Sequence, residues 1–220
     1  MTNTETESPV KLAVCLLLTL VLGACANPYY SAMEKVGIHK RDIMVDRVGD
    51  ARDSQEAAQD QFKSALEKFG SVVSLKETDL KRAYEQLNDE YEACVGAAEK
   101  VSSRIDKVES VAEALFDEWA DEIKLYENKE LARSSKKQLD TTRTRYREMM
   151  ARMENAEKSM DPVLKIFRDN VLFLKHNLNA QAIGSLQQEF AGLEAEIDKL
   201  IKRMGEAIAS SNAFIAEMQT

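Results

Sequence analysis

The sequence predicts an all-α protein, an elongated antiparallel coiled coil or four-helix up-down bundle of long helices. Three observations predict it. The 220 residues include only eight Gly and three Pro, well below the ~12% of an average chain; this excludes a turn-rich β protein and a Pro/Gly-rich disordered one. Charged residues make up 31% and apolar ones 44%, the profile of long helices with solvated outer faces. Apolar residues also recur at alternating spacings of three and four, the coiled-coil period.

Residues 1–24 read as a signal peptide. Lys11 precedes an apolar run over 12–22, too short for a bilayer that needs ~20 residues but suited to a signal-peptide core of ~7–15. Glu5 and Glu7 leave the leader only weakly basic. Leu22-Gly23-Ala24-Cys25 resembles the lipobox of bacterial lipoproteins, in which the cysteine is acylated and becomes the first mature residue. A thiolate is the strong nucleophile that such a step needs, and two or more acyl chains anchor stably where one does not. Ala26, in place of Asp, resembles the pattern sorted to the outer membrane. The competing readings are a retained signal anchor and a buried helix start with a core cysteine. With Cys15 removed and Cys25 lipidated, Cys94 is the one cysteine left of three, so the mature chain forms no internal disulfide. Residues 25–31, with Asn27-Pro28-Tyr29-Tyr30, read as a lipidated tether and a poor helix; residues 32–220 read as one helical coiled-coil domain.

The first heptad-spaced run goes from Val48 to Val72, with Gly49 weakening its start and Gly70 loosening its end. Residues 74–79 offer capping chemistry for the next helix. The second run, from Leu80 through Leu87, Cys94, Val101, Ile105, Val108, Leu115 and Trp119 to Tyr126, spans about 70 Å as a helix. A turn is expected at 127–129. The third run extends from Ala132 to Leu174 and stays in phase across Asp161-Pro162, where a kink or brief break is expected. A turn at 176–179, with Asn179 as cap, leads to the fourth run, from Ile183 to Met218. Short turns between helices of this length impose an up-down order.

Charge gives the partners less. The net charge of −8 offers no basic footprint for nucleic acid. An acidic stretch (Glu113, Asp117, Glu118, Asp121, Glu122) and a basic one (Arg133, Lys136, Lys137, Arg143, Arg145, Arg147) flank the second turn. Folding at Asn128 brings them together, so we read them as paired; the alternative is a basic patch for phosphate or lipid headgroups. Met149, Met150, Met153 and Met160 are soft enough for copper(I), but three lie on the seam and read as core. His39 and His176 are far apart in sequence, and no carboxylate lies within four residues of His176. No phosphate loop, nucleophile elbow or zinc spacing is present. We therefore assign no catalytic residue, metal or cofactor, and expect no enzyme. Residues 163–174 are the most unusual: Val171, Leu172, Phe173 and Leu174 are apolar on every face of a helix. Either the bundle surrounds them, or a partner or membrane covers them, with Leu172 and Phe173 as anchors.

Residues 29–47, 111–119 and 171–179, among them Tyr29-Tyr30-Ser31-Ala32-Met33-Glu34-Lys35 and Val111-Ala112-Glu113-Ala114-Leu115-Phe116-Asp117-Glu118-Trp119, resemble a proteobacterial family, domain of unknown function family 2959. The resemblance covers essentially the whole mature chain. It implies a helical, coiled-coil, lipoprotein-like envelope protein and supplies no catalytic residues. The expected function is thus a lipoprotein held by Cys25 on a membrane, most simply the outer one. Its periplasmic rod would act as a structural or adaptor protein for an unknown envelope partner or for a second copy. The alternative is a lipid- or amphiphile-binding bundle at the membrane surface.

Overall fold

The computed structural model describes residues 28–74, 80–177 and 180–219. The expected signal peptide 1–24, Cys25, the expected capping segment 75–79 and Asn179 lie outside the described residues. Six helices occupy the described chain: α1 (Pro28–Lys35), α2 (Lys40–Val73), α3 (Leu80–Ile123), α4 (Lys129–Lys158), α5 (Met160–His176) and α6 (Ala180–Met218). The protein is all-α.

The segment expected to be a tether and a poor helix is helical from Pro28 onward, as α1. Proline suits the first helical position because its missing N–H would have no partner there. Gly37, at φ 84°, ends the helix: its N–H bonds the Glu34 carbonyl at 2.9 Å and the Ile38 N–H bonds that of Met33 at 3.0 Å. This is the left-handed helix stop that glycine permits. α1 then folds back on the bundle, burying Tyr30, whose hydroxyl lies 3.1 Å from that of Ser110.

α2 begins eight residues before the first expected seam position, because Met44 extends the same spacing toward the N-terminus and is fully buried. Gly70 is also reinterpreted. It lies inside α2, and a Cβ there would sit 3.2 Å from the Phe190 ring. Its bare backbone admits that ring, which stacks on Phe69 at 5.8 Å. α3 stops at Ile123, so the expected seam positions Glu122 and Tyr126 end exposed. Asn128 caps α4, its side-chain oxygen accepting from the N–H groups of Glu130 (2.9 Å) and Leu131 (3.3 Å). The third run breaks at Ser159, two residues before Asp161-Pro162. Pro162 then falls in the first turn of α5, where N–H groups lack helical acceptors anyway. The core stays in phase across the break, through Met149, Met153, Ala156, Met160, Val163 and Phe167.

α2 packs along α3 and α6, and α4 with α5 packs along the same two helices. Partners run in opposite order. Lys40 meets Glu118 while Gln61 meets Glu90; Arg52 meets Asn212 while Gln59 bonds the Ile201 carbonyl; Arg145 pairs with Glu217 and Arg152 with Glu206. Phe69 of α2, Tyr91 of α3, Phe167 of α5 and Phe190 of α6 form one aromatic layer, with centroid separations of 5.8 to 6.1 Å. At this level α2, α3, α5 and α6 meet in one core. At the opposite end, the last turn of α3 and the first turns of α4 continue past the start of α2 and the end of α6. None of residues 117–138 is buried.

Candidate interaction surfaces

The exposed apolar side chains define what the molecule can offer a partner. Among the described residues, the large ones are Tyr29, Val36, Ile38, Leu125, Tyr126, Leu131, Leu172 and Phe173. Cys25, the expected lipidation site, lies outside the described residues.

The stretch 171–174 divides between the two readings. Val171 and Leu174 are 3% and 0% exposed and belong to the core, so neither can meet a partner; Leu172 and Phe173 are 47% and 39% exposed. The helical repeat explains the split: residues three apart share a face, whereas their neighbours turn outward. Phe173 borders a groove of about 460 Å³ between α5 and α6, with Ile166, Asn170 and Leu186 among its walls.

The acidic and basic stretches meet in register but do not pair as expected. Trp119 Nε1 donates to the Ser135 hydroxyl at 2.8 Å, which sets the α3–α4 alignment. Yet Asp121 pairs with Lys124 and Lys136 with Asp140, each within its own helix or turn, and Arg145 reaches Glu217 of α6. Arg143 lies over the Phe116 ring at 5.5 Å and donates to the Phe116 carbonyl at 3.0 Å. Guanidinium over an aromatic face retains its charge while covering apolar surface. Glu118 instead faces Lys40.

That contact centres on a buried cation the sequence did not single out. Lys40 is 8% exposed and donates to Glu118 at 2.7 Å and to Glu34 of α1. Burial works against its charge, but the two carboxylates more than offset this and raise its pKa. The Lys40 hydrogen bond holds Glu34 below the usual carboxylate range, whereas burial pushes Glu118 above it. Lys40 interrupts no heptad seam, which is why a pattern search passes over it.

The remaining candidates resolve as core or remain apart. Cys94 is fully buried; burial pushes its thiol up to about 12, a value that keeps it unreactive at neutral pH. Met149, Met150, Met153 and Met160 are 6% exposed or less. His39 stands at the N-cap position of α2 without a side-chain capping hydrogen bond, and His176 ends α5, at opposite ends of the bundle. Among the described residues no three His, Cys, Asp or Glu side chains converge to hold a metal, and no helix is long and apolar enough to cross a membrane.

No curated protein and no solved structure matches this chain. Over residues 29–218 it matches the family described as "Protein of unknown function (DUF2959)", and the chain belongs to that family.

Proposed function

We propose that the protein is a bacterial lipoprotein, anchored through Cys25 on a membrane, most simply the outer one. It presents a periplasm-facing helical rod as a structural or adaptor element to an envelope protein partner or to a second copy. The carrying observation is the join of a lipobox, Leu22-Gly23-Ala24-Cys25, to an all-helical domain that follows almost at once. In this reading the domain is an elongated up-down coiled coil of four chain passes. The antiparallel partners and the heptad-spaced core of α2, α4, α5 and α6 support it. In this reading the role is non-enzymatic, and the described residues offer long helical surfaces for it.

The lipid- or amphiphile-binding alternative draws on the exposed pair Leu172 and Phe173 beside their groove. Membrane fractionation with intact-mass measurement, on the wild type and on Cys25→Ala, tests the anchor. The expected result is a wild-type chain starting at an acylated Cys25 in the membrane fraction and a non-acylated variant. A soluble wild-type chain that retains residues 1–24 overturns the reading.

A further inference from the structure

Six of the eight large apolar side chains exposed among the described residues gather at one end of the bundle and its flank. Tyr29, Val36 and Ile38 belong to α1 and the turn after it. Leu125, Tyr126 and Leu131 belong to the α3–α4 tip. The Lys40–Glu118 contact places the two groups at the same end, since α3 runs onward from Glu118 to the tip. Leu172 and Phe173 are at the other end. Lone exposed apolar residues need no explanation, but a concentration of them marks a contact surface.

The sequence leading into α1 indicates what covers this surface. Only three positions carry the chain from Cys25 to Pro28, a reach of no more than about 10 Å. α1 is held against the flank by the Tyr30–Ser110 contact and by Lys40. From Ser110 to the end of α3 at Ile123 the helix rises about 20 Å. An acyl group on Cys25 therefore enters the bilayer beside the flank, not beyond the tip. A rod standing upright on its tip, or on its far end, would strand the anchor. From this we infer that the end formed by α1 and the α3–α4 tip lies against the lipid bilayer, with the bundle inclined so that anchor, Val36 and Leu125 reach one plane, leaving the Leu172–Phe173 end for the aqueous side. The contact is apolar in character. Over residues 117–138 six acidic side chains (Asp117, Glu118, Asp121, Glu122, Glu127, Glu130) nearly balance five basic ones (Lys124, Lys129, Arg133, Lys136, Lys137), so no net positive charge draws the tip to anionic lipid, and high salt leaves the contact in place. Tyr29 and Tyr126 suit the headgroup level, where an aromatic body and a polar tip are both satisfied.

This inference rests on the lipoprotein reading. The test uses the full acylated protein in vesicles of phosphatidylethanolamine and phosphatidylglycerol that carry spin-labelled lipid. A fluorophore is attached at Val36→Cys, Leu125→Cys or Phe173→Cys, all exposed sites, while the buried Cys94 stays unlabelled. The expected result is quenching severalfold stronger at positions 36 and 125 than at 173, unchanged at high salt. Acylated protein with no quenching at 36 and 125 overturns the inference and leaves the anchor reading intact. So does quenching at 173 alone, which inverts the rod. Disulfide-linked dimers of Leu125→Cys without lipid quenching assign the surface to a second copy and likewise overturn it. An intact mass lacking acylation at Cys25 removes the anchor reading, and the inference with it.

Discussion

The aromatic layer around Phe167 and the α3–α4 tip both carry heptad-spaced seams, yet only one is a core. At the layer, four chain passes surround Phe69, Tyr91, Phe167 and Phe190, and Phe69 and Phe167 are fully buried. Toward the tip only α3 and α4 continue, and Ala132 and Ser135, on the same kind of seam, stay half-covered. The pattern selects the inward face; the number of neighbouring helices decides whether that face is enclosed.

This contrast predicts unequal responses. Phe167→Ala removes a ring packed against two others and should cost about 3–5 kcal/mol, read as a large drop in the melting temperature followed by circular dichroism. Gln55 sharpens the point from within the core: it is fully buried, and its Oε1 has no partner. Gln55→Leu should therefore stabilise the bundle by about 1–3 kcal/mol, checked by denaturant unfolding. A loss of stability would show that the amide is needed for register. Asn128→Ala removes the α4 cap and should cost about 1 kcal/mol, confined to the tip. Hydrogen exchange should quicken at residues 129–135 while the Phe167 layer keeps its protection.

The smallest expected effect concerns α1, tied to the bundle through Lys40. Glu34 has a lowered folded pKa, so its contribution is complete above its unfolded value and is lost as pH falls through the folded one. Glu118 has a raised pKa and the opposite sign, since protonation relieves its burial. Acidification should thus loosen α1 through Glu34. Hydrogen exchange of residues 29–35 should quicken on acidification beyond its intrinsic pH dependence, and Glu34→Gln should abolish that extra acid step.

Helix content, the four apolar runs and the third turn's neighbourhood were legible in the sequence, because a 3-4 spacing has one structural solution over forty residues. Particular residues show where that legibility stopped. Gly37 carried a usable signal for the end of α1, but Pro28 and paired tyrosines masked the short helix before it, which is stable only by docking Tyr30. Gly70 looked like a weak point because propensity counts only the local backbone; its partner, Phe190, lies more than a hundred positions away. The acidic and basic stretches were complementary in sequence and adjacent in space, but Asp121 and Lys136 found partners within their own turns, and Glu118 and Arg145 found Lys40 and Glu217 on other helices. Exposed pairs contribute too little to enforce one arrangement.

The sequence by itself determined the all-α class, the inward face of each long helix and the in-phase passage from α4 into α5, because these follow from periodicity along one chain. Only the tertiary structure decided that Val171 and Leu174 are enclosed while Leu172 and Phe173 are not, that α1 folds back so that its start at Pro28 lies on the flank, and that the α3–α4 hairpin outruns its neighbours. Those outcomes depend on how many helices stand beside a residue and where each of them ends, and neither quantity is written in the spacing of any single helix.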